Sequence, residues 1–378
     1  MTISADLLSP QRPIVVIGAA FGDIILHLDA LPQSGSDVSA RDGGRQIGGC
    51  AFNVARALSR LELFPINAIP VGNGDWGQAV AQKMALENLP VLLRHPTHDN
   101  GWCLALVEAS KERTFITIEG CEQHWTDELL AQIPLPKEAI IYVSGYELAS
   151  EALRQWILAQ TEDKTLFVDF GPRLCDLDIH FIQALLRKRP LLTLNRDELS
   201  VLCARLYDLD SATLDAASRL ASDWHIRAIC RFDKDGAWVV EPDAAPQHIP
   251  ACRVKVHDTI AAGDSHCAGT IAGLACGMDL QQATRLGNEV AAIVVSQPGS
   301  DGHPVAKRYV SSRFNSKTAA SRYLRAFASI ALMLATFAWP LCMRSSGEIT
   351  LRSCSQIRSS CGSSSRKRLG SGRTSSPY

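Results

Sequence analysis

The 378-residue chain contains no Gly-x-x-x-x-Gly-Lys-[Ser/Thr] segment, which excludes a Walker-type phosphate loop. It has no Cys-x-x-Cys and no His-Glu-x-x-His, and its ten histidines are scattered, so a zinc site is not expected. The stretch from Met1 to Arg12 lacks the apolar core of a secretory signal. Nine of the twelve cysteines are spread singly over the first 306 residues, several inside apolar runs as at Cys230 and Cys267, where a thiol behaves as a small hydrophobe. A reducing, cytoplasmic location is the expectation. Acidic residues nearly vanish at the far end: from Lys307 to Tyr378 thirteen Lys and Arg face Glu348 alone. That tail is +12, so the preceding 306 residues carry −13 of the net −1. It also holds 17 serines and strings such as Ser363–Arg368 with no helical or strand period. Residues 307–378 are therefore read as a disordered or frame-shifted extension beyond a domain spanning 12–306. The uncharged run Ala326–Met343, 18 residues long and broken by Ser329, Thr336 and Pro340, is a poor membrane span. Basic charge without interleaved aromatics gives no reason to expect nucleic acid as a partner.

What is present is an apolar fraction of 46%, enough for a sizeable core, and two small-residue loops that each open a helix. In Asp258-Thr259-Ile260-Ala261-Ala262-Gly263-Asp264-Ser265 the small residues leave backbone N–H groups unobstructed, and Ala268, Ile271, Ala272 and Ala275 then follow at the spacing of a buried helical face. Orphan N–H groups and the macrodipole favour negative charge in front of such a helix. A transferring phosphoryl group carries that charge, and Asp264 at the same spot can accept the proton of a substrate hydroxyl. Taken alone, the turn is an ordinary helix cap. The second loop, Gly48-Gly49-Cys50-Ala51-Phe52-Asn53, runs into a helix whose Val54, Leu58 and Leu61 share one face.

Together the two segments resemble the paired signatures of the PfkB, or ribokinase-like, family of carbohydrate and nucleoside kinases, in which a Gly-Gly pair precedes Asn and a helix, and Asp-Thr-x-Gly-Ala-Gly-Asp follows later. Ala261 stands here for the first glycine of the second signature, which removes easy access to positive φ. The resemblance covers residues 12 to 305 and implies ATP and Mg²⁺ as cofactors. It assigns Asp264 as catalytic base, with the N–H groups of Ala261, Ala262 and Gly263 holding developing charge. It places Asp23, Gly48, Gly49, Asn53 and Glu147 around the acceptor. Asp23 follows the strand-like run Ile14-Val15-Val16-Ile17, and ligands of open α/β sheets sit beyond carboxyl ends of strands. Asn195 and Glu198, an Asn-x-x-Glu after the apolar run Leu191–Leu194, are assigned to Mg²⁺ through water and to phosphate. Arg231 and Gly236, in a hairpin-like segment, and Asn288 are placed around the nucleotide. Asp258, Ile260 and Gly299 match a potassium loop of many relatives. His266, beside Asp264, reads as a residue on the polar side of its helix.

The implied fold is a three-layer α/β/α domain with a central, mainly parallel sheet and a small β-sheet lid. Strand character at 36–47 and 101–120 supplies the lid, which in many relatives is also the homodimer contact. Alternatively those strands extend the main sheet and leave the pocket open to water. The early Gly18–Asp23 stretch lacks the third glycine of a dinucleotide fingerprint. The expected function is phosphorylation of a hydroxymethyl group on a sugar or nucleoside. The contrasting expectation is a non-catalytic sugar- or nucleotide-binding protein of the same fold.

Overall fold

Continuous apolar runs such as Ile14–Ile17 and Ile140–Val143 are too short for helices and lack polar alternation, the pattern of strands covered on both faces. The computed structural model describes residues 8–297 apart from Lys111 and residues 209–211. The tail from 307, the run 326–343 and Gly299 lie outside the described residues.

In chain order the strands are β1 (Ile14–Ile17), β2 (Phe21–His27), β3 (Arg41–Gly48), β4 (Ile66–Ala68), β5 (Pro70–Val71), β6 (Leu93–Arg94), β7 (Trp102–Val107), β8 (Arg113–Ile118), β9 (Ile140–Ser144), β10 (Thr165–Asp169), β11 (Leu191–Asn195), β12 (Arg227–Arg231), β13 (Ala237–Val240) and β14 (Gln247–Ile249). The helices are α1 (Cys50–Arg60), α2 (Asp75–Leu86), α3 (Asp127–Leu130), α4 (Glu151–Leu158), α5 (Ile179–Arg187), α6 (Arg196–Tyr207), α7 (Leu214–Trp224), α8 (Ala262–Ala275) and α9 (Leu280–Val295).

The main sheet runs β14-β13-β12-β11-β10-β9-β1-β4. Its pairs are parallel from β4 to β12, and β13 and β14 close the edge antiparallel. Alternation of side chains splits the core in two. Val15 and Ile17 face one apolar layer, with residues of α3 to α7, whereas Ile14 and Val16 face the other, with α1, α2, α8 and α9. α8 is buried on every side from Asp264 to Ala275. Its Gly269 and Gly273 let α9 approach so closely that added Cβ atoms would stand 2.8 Å from the Gly287 Cα and 2.7 Å from the Ala283 Cα.

A separate four-stranded sheet, β3-β2-β7-β8, forms the lid. The strand character expected at 36–47 and 101–120 resolves into β3, β7 and β8, and these do not extend the main sheet. β2 was not expected there. Asp23 therefore does not sit in the turn after β1 but is the third residue of a lid strand, because β2 pairs with β7 through a register of non-local partners that includes Asp23 and Cys103. The feet of β7 and β8 cross at Gly101 and Gly120, where a Cβ on Gly120 would meet the Gly101 nitrogen at 2.1 Å. Asn100 ties this crossing to the body by accepting from the Gly72 N–H and donating to the carbonyls of Ala20 and Pro70. Among the described residues no helix is long and apolar enough to cross a membrane.

Candidate active site

The carboxyl ends of β1, β9, β10, β11 and β12 converge on the amino terminus of α8, which Ala261 caps in the left-handed conformation at φ 59°. Of the three backbone groups expected to receive charge, the Ala262 N–H is taken by the Thr259 carbonyl at 3.2 Å. Those of Ala261 and Gly263 have no hydrogen-bond partner among the described residues. The Asp264 N–H is likewise open in the first turn. The Asp264 side chain is buried, with Oδ2 accepting from Asn53 Nδ2 at 2.7 Å. Burial pushes its carboxyl up to about 6, opposed by the Asn53 hydrogen bond and reinforced by the charge of Asp169. A carboxylate in that range is mostly ionised at neutral pH and still basic enough to take a proton.

On the lid side, Asp23 Oδ1 accepts the Cys103 thiol at 2.9 Å, and burial raises the Asp23 carboxyl above its ordinary range. Its Oδ2 lies where only a glycine fits opposite, since a Cβ on Gly48 would be 2.9 Å away. Gly49, at φ 106°, caps α1, and a Cβ there would meet the Ala19 carbonyl oxygen at 2.7 Å. The paired glycines thus seat α1 against the loop after β1. Asn53, expected on acceptor hydroxyls, spends its amide on the base, donating to Asp264 while its Oδ1 accepts from Arg56.

Glu147, expected beside the acceptor, is spent on protein donors. Its carboxylate is turned inward and accepts from the Ala19 N–H at 2.9 Å, the Ser144 N–H at 3.2 Å and the Ser144 hydroxyl, bracing the end of β9 against the loop after β1. Burial drives it up to about 7 in spite of these bonds. His266 is also displaced from its expected polar face. It is buried in the α8 interior, where burial and then the Arg231 charge push its imidazole down to about 3, so it is neutral.

On the opposite side, Asn195 and Glu198 form a capping box for α6, each side chain accepting the other residue's N–H at 2.8 Å. Glu198 also lies 3.5 Å from Arg231, and burial, with the charge of Asp169 next, raises it to about 7. Gly236, at φ 87°, and Asn288 act on the same loop. A Cβ on Gly236 would meet the Ile249 carbonyl oxygen at 2.3 Å, and Asn288 Nδ2 donates to the carbonyls of Ile249 and Pro250, both at 3.1 Å. Asp258 turns back to accept the Ile260 N–H at 3.0 Å, and Gly299, the third member of the expected potassium loop, lies outside the described residues. No group of three or more His, Cys, Asp or Glu among the described residues could hold a metal ion directly. Asn195 and Glu198 offer oxygen donors of the kind a hydrated Mg²⁺ takes through its waters, while also serving each other, Glu198 Oε1 accepting from Asn195 Nδ2 at 2.8 Å.

Two features escaped the sequence. Asp169, at the end of β10, pairs with Arg231 at 3.4 Å, and its one local signal is an acid closing an apolar strand. His95-Pro96-Thr97-His98 has a metal-like spacing, yet His95 Nδ1 accepts the N–H groups of Thr97 and His98 and its Nε2 meets the His124 carbonyl at 3.1 Å. That imidazole is spent on the backbone. A cavity of about 610 Å³ lined by Arg189, His225, Arg227 and Glu241 lies at the opposite end of β12 from Arg231 and shares no residue with the site.

A pfkB family carbohydrate kinase model matches residues 11–307. The chain is 39% identical over 311 residues to an uncharacterized sugar kinase, YegV, of Escherichia coli, covering 82% of this chain and 96% of that one. Among solved structures it resembles the ribokinase of Thermotoga maritima, with TM-score 0.67 and 19% identity over 79% of this chain and 98% of that one. It also resembles an Arabidopsis thaliana ribokinase complexed with ribose and ATP, with TM-score 0.64 and 20% identity over 79% and 98% of the two chains.

Proposed function

The chain belongs to the pfkB family of carbohydrate kinases, and on that premise we propose that it transfers the γ-phosphoryl group of ATP, in the presence of Mg²⁺, to a hydroxymethyl group of a sugar or nucleoside. The observation that carries this reading is Asp264, buried in the first turn of a helix whose Gly263 N–H is open. In the transfer, a bond forms between the acceptor oxygen and the γ-phosphorus, the bond from that phosphorus to the β,γ-bridging oxygen breaks, and ADP leaves. Asp264 takes the proton of the acceptor hydroxyl. The open N–H groups of Ala261 and Gly263 face the charge that collects on the transferred group. Asp23 and the backbone at Gly48 and Gly49 orient the acceptor, and Asn53 aims the base. Glu198 and Asn195 would hold a hydrated Mg²⁺ through its waters, and the ion would supply positive charge against the negative charge of the phosphates. Arg231 lies on the phosphate side, while Gly236 and Asn288 shape the loop at Ile249 and Pro250 that borders the nucleotide.

The lid covers the acceptor from one side and serves as the surface for a second copy, supported by the exposure of Phe115, Ile116 and Ile118 on its edge strand β8. The test is ADP release with Mg-ATP, K⁺ and a panel of sugars, sugar acids and nucleosides, using the full chain and Asp264→Asn. Turnover with one acceptor, reduced about 10³-fold or more in the folded variant, is the expected result for loss of a positioned base. Equal turnover in both proteins would sink the mechanism, and ligand binding with no turnover would turn the reading to a binding protein.

A further inference from the structure

Asp169 closes β10 beneath the amino terminus of α8 and is buried at 7% exposure. Its Oδ1 meets Arg231 Nη2 at 3.4 Å, and its Oδ2 accepts the Cys267 thiol at 3.3 Å. Glu198 holds the same guanidinium nitrogen from the α6 side at 3.5 Å. Arg231 Nη1 is pressed against the first turn of α8, so near that a Cβ on Gly263 would stand 2.6 Å away. Its Nε is buried with no hydrogen-bond partner among the described residues. The guanidinium is thus fixed from two strands and a helix, and it lies beside the open N–H of Gly263 with donor capacity left over.

We propose that Asp169 is the positioning residue of this site, clamping Arg231 against the first turn of α8 so that the guanidinium joins the open backbone N–H groups in receiving the transferred phosphoryl charge. The proposal rests on the kinase reading. A buried ion pair adds little to stability compared with an apolar substitute. Two carboxylates around one guanidinium, with Asp264 close by, leave excess negative charge that folding alone disfavours. The arrangement makes sense where an arginine must be aimed rather than merely neutralised. A preorganised donor is worth most where the developing charge will sit.

The same carboxylate acts on the base. Asp264 is faced by Cys50 and Asn53 of α1, Tyr142 of β9, Tyr146 after β9, Asp169 of β10, Arg231 of β12 and Cys267 of its own helix. Among these, Asp169 raises Asp264 and Arg231 lowers it. Removing the Asp169 charge therefore moves the acid limb of the kcat profile to lower pH.

The test compares Asp169→Asn, Arg231→Ala and the double variant with the wild type, with Mg-ATP and saturating acceptor. Each single change is expected to lower kcat about 100-fold, as for loss of one aimed donor. Acceptor KM should stay within about 2-fold, and the double variant should fall within about 3-fold of the weaker single one, because the two residues act as a unit. Losses that multiply in full or a loss confined to KM would each overturn the clamp. If Asp169→Asn does not fold, Arg231→Lys keeps the ion pair but not the planar fork. It should lower kcat about 10-fold at an unchanged melting temperature, and unchanged kcat would overturn the proposal. A wild type silent with every acceptor overturns the kinase reading and this proposal with it, whereas an active wild type with an unaffected Asp169→Asn overturns this proposal alone.

Discussion

The two carboxylates assigned to the acceptor, Asp264 and Asp23, stand in opposite kinds of structure. Asp264 begins a helix buried on every side, above a sheet covered on both faces, and its side chain is held by Asn53. Asp23 lies on a thin sheet whose edge strand β8 is exposed along its whole length, and its described hydrogen-bond partner is the Cys103 thiol. The contrast separates two tasks. Positioning of a proton acceptor asks for a rigid, over-determined frame, whereas an element that must admit and cover a substrate comes from the less buried part of the molecule.

Substitutions at matched positions break this comparison in different kinetic constants. Asn53→Ala removes the hydrogen bond that favours the ionised form of Asp264, so the base should titrate higher and the acid limb of kcat should move to higher pH. A fall in kcat of about 100-fold is expected, from lost aim together with lost ionisation. Steady-state kinetics across pH 5 to 9 would check both, and an unmoved limb would detach Asn53 from the base. Asp23→Asn should leave kcat within a few fold and raise acceptor KM about 10-fold or more, the loss for a hydrogen bond to a charged group. If kcat bore that loss instead, the lid would be part of the chemical step and the division of labour would fail.

Much of the body was legible because its signals are local. Short apolar runs marked β1, β9 and β11, and small-residue loops marked the starts of α1 and α8, whereas the capping box that Asn195 and Glu198 make at the start of α6 was not read from their spacing. The parts that were not legible depend on partners in other segments. β2 is a lid strand because it pairs with β7, about eighty residues on, and nothing near Asp23 announces that. Glu147 turns inward because the Ala19 N–H, from the loop after β1, joins the two donors of nearby Ser144. Arg231 pairs with Asp169 and Glu198, which arrive from β10 and α6. Side-chain direction at these places is a property of the assembled sheet, and a linear pattern carries only residue type and spacing.

The body's buried carboxylates also make its stability depend on pH in a direction that sharpens the contrast. Burial raises Glu147 and Glu198 to about 7 and Asp264 to about 6, above the values these groups have in an unfolded chain. The folded state therefore binds protons more tightly, and the stabilisation is fully present below the unfolded values near 4 and is lost as pH rises through 6 to 7. Melting temperature should rise between pH 8 and pH 5.5. Glu147→Gln, which removes one of these groups, should flatten that rise, and a slope identical to the wild type would show that Glu147 does not titrate in this window.

The smallest expected effect lies at Ala261, where the family signature has glycine and this chain holds an L-residue at φ 59° and ψ 16°. An alanine in the left-handed region carries about 1 kcal/mol of strain from its Cβ against the following carbonyl. Two neighbours hold it there: the Thr259 carbonyl accepts the Ala262 N–H, and the Ala261 carbonyl accepts the Ser265 N–H at 2.9 Å. Ala261→Gly relieves the strain but widens the unfolded ensemble by a little under that amount. The net change in stability should therefore be within about 0.5 kcal/mol, a shift of one or two degrees in melting temperature for a domain of this size. Turnover is the sharper readout. If the strained cap serves to fix the Gly263 N–H in line with the transferred group, the glycine variant should lose a few fold in kcat with Asp23-dependent acceptor KM unchanged. If kcat instead rises, the alanine is a tolerated substitution in the frame, and the precision of the body comes from Asn53 and the packing of α8 rather than from its cap.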